Sequence, residues 1–251
     1  MRLFNFACAL VSCATITVTA QAETLTILHT NDLHSRIEPI NKYNSACSPE
    51  NNLAGKCFGG WARLKTAVEV ARSKAPNSLL VSGGDQFQGT LFYTYYKGTV
   101  AAEMMNNLGY DAMTAGNHEF DDGPEVLQGF VKKVNFPVLL SNADVMKERF
   151  LSDALMPSYI VEKAGEKIGL LGLTPEDLPS LASPGDNIAM QNPVTALKRE
   201  IASLKQRGVK RIIVLSHSGF GVDQRIAQQV DDIDLIVGGH SNTFLSNIAK
   251  V

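Results

Sequence analysis

Cysteine is scarce in this chain of 251 residues: there are four, and Cys8 and Cys13 fall within the first 22 positions. A basic excess is also missing. Lys and Arg number 23 against 25 Asp and Glu, a net charge of −2, so nothing drives binding to nucleic acid. After residue 22 no apolar run is long enough to span a bilayer, which excludes a transmembrane helix in the mature chain. There is no internal repeat, no low-complexity tract and, after residue 22, no Asn-x-Ser/Thr sequon. The missing sequon points toward a bacterial periplasm over a eukaryotic secretory route. What is present can fill a core. Apolar residues make up 45% and charged residues 19%, which excludes a disordered or fibrous chain, and the length suits one or two domains.

Residues 1–22 carry one charge, Arg2, then an apolar stretch and Ala20-Gln21-Ala22. This is the form of a secretory signal peptide cut after Ala22, with residues 23–251 as the mature domain. Ser12, Thr15, Thr17 and Thr19 break the stretch, which argues against a membrane anchor, and the run Leu10-Val11-Ser12-Cys13 is the alternative cleavage: a lipobox that leaves a lipidated Cys13. Either route delivers a periplasmic or extracellular protein. In such a compartment Cys47 and Cys57 can close a loop of about ten residues, worth roughly 2.5–3 kcal/mol. A zinc site is the other use for them, although no second Cys/His pair lies close by.

Short apolar runs alternate with amphipathic stretches. Strands are expected at 25–29, 78–82, 111–115, 137–140, 158–162, 167–173, 211–215 and 234–237. Several are unbroken apolar runs, as in strands covered on both faces. The 158–173 stretch reads as an antiparallel hairpin turning at Gly165-Glu166, and 41–58 as a polar loop. Helical stripes run through Trp61, Leu64, Val68 and Ala71, through Val100, Met104 and Leu108, through Val194, Leu197, Ile201 and Leu204, and through Val222, Ile226 and Val230. Such stripes face a core. The expected fold is layered α/β, with helices packed over a mainly parallel sheet.

Five strands end in polar, metal-capable residues. They are followed by Asn31-Asp32-Leu33-His34, Gly83-Gly84-Asp85-Gln86, Gly116-Asn117-His118-Glu119, Ser216-His217-Ser218-Gly219 and Gly238-Gly239-His240-Ser241-Asn242. Functional groups gather at the carboxyl ends of strands in such sheets. Asp32, His34, Asp85, Asn117, His217 and His240 would then share one crevice. These are carboxylates, imidazoles and an amide oxygen without a thiolate, a donor set for Zn, Mn, Co or similar ions. Six donors suit two ions with a bridging carboxylate, and Asp85, the lone acid after a central strand, is the natural bridge. One histidine after a strand is usually a loop residue. Here four of the five histidines stand there, and only His29 lies inside a strand, where it reads as structural.

The motifs stand in a recognisable order: Leu25-Thr-Ile-Leu-His-Thr-Asn-Asp32-Leu-His34-Ser-Arg36, Gly83-Gly-Asp85-Gln-Phe-Gln-Gly89, Gly116-Asn117-His118-Glu-Phe-Asp121, Ser216-His217-Ser-Gly-Phe220 and Gly238-Gly-His240-Ser-Asn-Thr-Phe244. Over residues 24–247 the chain resembles the calcineurin-like metallophosphoesterase domain of the secreted 5′-nucleotidase family. The Cys47/Cys57 loop leading into Gly59-Gly60-Trp61 resembles the ecto-5′-nucleotidase branch.

The resemblance implies two divalent metal ions. Asp32 and His34 would bind the first, Asp85 would bridge, and Asn117, His217 and His240 would hold the second. Asn242 would complete the first ion's shell, and His118 with Asp121 would form a catalytic dyad. The reaction implied is hydrolysis of nucleoside 5′-phosphates to nucleoside and phosphate. The family's C-terminal domain, which carries base-stacking aromatics and substrate-binding arginines, has no counterpart here, so a C-terminally truncated member is expected. Three outcomes fit that expectation: a poorly selective phosphoesterase, a half-enzyme needing its missing domain, or a metal-binding module without turnover.

Overall fold

The computed structural model describes residues 24–245; the signal segment and the lipobox lie outside them. The elements in chain order are β1 (Thr26–Thr30), α1 (Pro49–Leu53), α2 (Trp61–Lys74), β2 (Ser78–Ser82), α3 (Leu91–Tyr96), α4 (Thr99–Leu108) and β3 (Ala112–Thr114). Then come a 3₁₀ turn at His118–Phe120, α5 (Gly123–Val131), β4 (Val138–Leu139), β5 (Ala143–Asp144), β6 (Ser158–Lys163) and β7 (Glu166–Leu173). The last are α6 (Leu178–Leu181), β8 (Ala189–Met190), α7 (Pro193–Gln206), β9 (Arg211–Ser216), α8 (Phe220–Gln229) and β10 (Leu235–Val237). All eight expected strands form. Unforeseen were α3, α5, α6 and the short antiparallel pair β5–β8.

The eight expected strands divide between two four-stranded sheets instead of joining one. The first has order β1-β2-β3-β4 and is wholly parallel; the second has order β10-β9-β7-β6. Only β6 runs antiparallel in the second sheet, paired to β7. Alternation along the strands explains how both faces are buried. Leu79 and Val81 of β2 point to the space between the sheets, where they meet Leu170 of β7 and Ile213 and Leu215 of β9. Leu80 points the other way, into a core with Trp61, Met105, Leu127 and Phe130 from α2, α4 and α5. On the far side Leu171 and Val214 pack against Leu197, Ile201 and Leu204 of α7 and Ile226 of α8. The order of layers is helix, sheet, sheet, helix.

Three local expectations shift. The β6–β7 turn consists of Ala164 and Gly165, both at positive φ, because Lys163 pairs with Glu166. That is the backbone of a two-residue hairpin turn matched to strand twist. The 41–58 loop contains α1, capped by Ser48, whose side chain accepts from the Asn51 amide. In α4 the buried face is Ala101, Ala102, Met105 and Leu108, with Val100 and Met104 on its shoulder. The Cys47–Cys57 disulfide is present, with Cα atoms 5.9 Å apart. Among the described residues no helix is long and apolar enough to cross a membrane.

Candidate metal centre

Parallel strands deliver their carboxyl ends to one side, so β1, β2, β3, β9 and β10 all empty into the same crevice. The loops there carry unusual backbone. Asp32, His34, Asp85 and His240 all adopt left-handed φ, between 48° and 69°. Non-glycine residues rarely sit there, and such strain concentrates at functional sites. The loops also touch backbone to backbone. A Cβ on Gly116 would collide with the Asp85 side chain, and one on Gly84 would lie 2.8 Å from both the Gly116 nitrogen and His217 Nδ1. Only glycine lets these loops close together.

Asp85 is the hub. Its side chain is 3% exposed; Oδ1 accepts from the His118 amide at 3.0 Å, while Oδ2 lies 2.9 Å from His217 Nε2 and 3.8 Å from His34 Nε2. Two groups of ligand-capable atoms each gather within 4.8 Å: His34, Asp85 and His118, and Asp85, His217 and His240. Asp85 belongs to both. Asp32 joins them, with Oδ1 4.0 Å from His34 Nε2. Its Oδ2 accepts from the Asn31 side chain at 2.7 Å and from the His240 amide at 3.0 Å.

The imidazoles are oriented from behind. His217 Nδ1 donates to the Gly83 carbonyl at 2.5 Å and His34 Nδ1 to the Phe87 carbonyl at 3.0 Å. Each leaves Nε2 pointing at Asp85, the arrangement second-layer hydrogen bonds give to metal-binding histidines. His217 Nε2 is buried and, though near Asp85, is not aligned for a hydrogen bond; Asn117 Oδ1 is likewise buried without a partner. A buried polar atom left without a partner is costly unless something fills the site. The donor set of carboxylates, imidazole nitrogens and an amide oxygen fits divalent cations.

Charge tells the same story. Burial pushes the His217 imidazole down, but Asp85 beside it more than reverses this, and the group is raised to about 9. Burial opposes ionisation of Asp85, and contact with His217 and the His118 amide holds its carboxyl below the usual range. Burial and nearby His217 both lower His240. The buried Asp85 carboxylate thus draws positive charge to its side at His217, while His240 favours its neutral form.

His118 and Asp121 sit at one edge, with Nδ1 and Oδ2 2.7 Å apart. Burial lowers His118, but the Asp121 hydrogen bond and the surrounding carboxylates raise it overall. Asn242 lies on the exposed side, its amide reaching the His240 carbonyl at 3.4 Å. With His29 it lines an open groove of about 850 Å³ between β1, α8 and β10. Sequence reasoning missed Glu119. This fully buried carboxyl accepts from the amides of Asp85 (2.9 Å), Gln86 (2.7 Å), Phe87 (3.2 Å) and Gly116 (2.6 Å). It clamps the Asp85 loop to the Asn117 loop. Its place beside two motif residues was the only signal.

Comparison with known proteins agrees with this geometry. Residues 25–244 match the calcineurin-like phosphoesterase family. The chain is 47% identical over 224 residues to bovine (Bos taurus) 5′-nucleotidase, a match covering 88% of this chain and 38% of that protein. The 5′-nucleotidase precursor from Thermus thermophilus superposes with a TM-score of 0.82 at 36% identity, covering 89% of this chain and 43% of that one. Haemophilus influenzae NAD nucleotidase superposes at 0.78 and 32% identity, covering 90% and 40%. The chain therefore spans about two fifths of the length of these relatives. On the match over nearly its whole described length, it belongs to the calcineurin-like phosphoesterase family.

Proposed function

We propose that this protein is a metal-dependent phosphoric monoester hydrolase acting on nucleoside 5′-phosphates. One observation carries the reading: Asp85 is shared by two ligand-capable clusters, backed by buried donor atoms without partners. Asp32 and His34 would hold one divalent ion, Asn117, His217 and His240 a second, with Asp85 between them and Asn242 completing the first. Zn, Mn, Co or similar ions suit this set. Bound there, the ions supply positive charge against the phosphate dianion and acidify the attacking water. The remaining work falls to the chain. Asp121 holds the His118 ring through Nδ1, which leaves the other ring nitrogen to steady phosphoryl charge or to protonate the leaving oxygen as the P–O bond breaks. The Asp121 carboxylate on Nδ1 favours a cationic ring, which suits both tasks.

The matched 5′-nucleotidases support nucleotides as substrates. The disulfide supports a periplasmic or extracellular location, with residues 1–22 as the leader and 23–251 as the phosphoesterase domain. The test is to load the purified chain with Mn or Zn and follow phosphate release from AMP and from a generic aryl phosphate. Release that disappears on chelation and returns on adding metal is expected. Two bound ions with no release from either ester would refute the hydrolase assignment.

A further inference from the structure

We propose that Gln88 is a positioning residue for the His118–Asp121 pair, fixing the Asp121 carboxylate and, through it, the His118 ring. Asp121 Oδ2 accepts two hydrogen bonds, one from His118 Nδ1 at 2.7 Å and one from Gln88 Nε2 at 2.6 Å. With His118 as its sole donor, the carboxylate could turn about its own axis and carry the ring with it. A second donor on the same oxygen removes that freedom. The amide is neutral, so it orients Asp121 without cancelling the negative charge that His118 feels. Lys97, the cation on neighbouring Asp122, is engaged there: its Nζ lies 3.0 Å from Asp122, which also accepts from the Tyr93 hydroxyl at 2.6 Å.

Backbone preference does not account for a glutamine at this position. Gln88 has φ +67°. That left-handed conformation costs an L-residue roughly 1–2 kcal/mol and favours Gly or Asn. The turn is forced from both sides. Glu119 pins the three preceding amides, and Gly89 follows at φ +94°, pressed against the His34 carbonyl. A shorter side chain would relieve strain here but would not span to Asp121. The strain and the reach together identify the amide as the feature that matters.

The kinetic part of this inference rests on the hydrolase reading; the spectroscopic part does not. The experiment uses the zinc-loaded full chain with Gln88→Asn and Gln88→Met. Asn retains an amide one methylene short and tolerates the turn; Met keeps the length without a donor. Both variants should hold two ions per chain, and Gln88→Asn should melt no lower than the parent. Each should lower kcat for an aryl phosphate about tenfold, as expected for losing a hydrogen bond to a charged group, with KM within about twofold. In an Asp121→Asn background Gln88→Met should cause no further loss, because the residue acts through Asp121. The imidazole nitrogen and proton resonances of His118 should move in Gln88→Met. Unchanged kcat, additive loss in the double variant, or an unmoved His118 signal would overturn the proposal. A parent chain that hydrolyses no ester would end the hydrolase reading, and the His118 resonances would still decide the role of Gln88.

Discussion

The half of the molecule built on β1–β4 and the half built on β6, β7, β9 and β10 hold their share of the candidate centre differently. The first contributes Asp32, His34, Asp85, Asn117, His118 and Asp121, and ties them together with its own buried hydrogen bonds, chiefly to Glu119. The second contributes His217 and His240. Both take their orientation from the first half: His217 donates to the Gly83 carbonyl, and the His240 amide donates to Asp32. One half is a preorganised cradle and the other docks onto it. Rigid support of this kind gives a site its geometric accuracy. The first half holds more of these contacts internally, so damage to Asp85 should spread further than damage to His240.

The strongest way to break this comparison is a pair of substitutions. Asp85→Ala should lose both ions and reduce phosphate release by more than about a thousandfold, because charge neutralisation fails at both positions. His240→Ala should lose one ion and leave the other. Metal analysis and activity report both, and two ions in Asp85→Ala would end its bridging role. Next in size, His118→Ala should keep both ions yet slow turnover at least about a hundredfold, the usual contribution of a positioned proton donor. Near-full activity with confirmed metal content would discard the His118–Asp121 pair.

A smaller effect is expected outside the crevice. Cys47→Ser with Cys57→Ser should cost about 2.5–3 kcal/mol of stability by releasing the loop. Turnover should stay within about twofold, since that loop contacts its own base, through Ile40 and Phe58, and the start of α2, through Asn52 and Arg63. Denaturant unfolding alongside kinetics separates the two readouts. Least visible at neutral pH is Tyr110, which ties β3 to β1 through a 2.7 Å hydrogen bond to Thr30. Burial raises its phenol to about 12 from the usual 10. The unfolded chain therefore ionises first, and the stability present below pH 10 is lost as pH climbs toward 12, by about 2–3 kcal/mol. Tyr110→Phe should lose roughly 1 kcal/mol at pH 7 and flatten that alkaline fall. Denaturation curves at pH 8 and pH 11 check this, and an unchanged alkaline slope would contradict it.

Much of the fold was legible beforehand because the signals are local. Runs such as Leu79-Leu80-Val81 are apolar at every position, and a strand covered on both faces needs that. The α7 stripe announced itself through Leu197, Ile201 and Leu204, all buried. In contrast, α5 begins with Gly123-Pro124, which reads as a break, although Leu127 and Phe130 bury fully behind it. The pair β5–β8 is two residues on each side and has no period to detect. The candidate centre was legible for a similar reason: ligand-capable residues directly after apolar runs are a pattern within four or five positions. Glu119 and Gln88 were not, since three of the four amides on Glu119 lie 32 to 34 positions away and the partner of Gln88 lies 33 away.

What the order of residues determined alone was the inventory: which segments extend, which coil, and which polar groups end each strand. Tertiary structure decided the rest. A doubly covered strand looks the same whether it joins one sheet or two, so the split into two sheets depends on pairings such as β7 beside β9, far apart in the chain. Which ring nitrogen of His34 and His217 faces inward depends on the carbonyl that stands behind it. That placement is a property of the packed whole, because hydrogen bonds in a buried site are selected by long-range contact and not by neighbouring sequence.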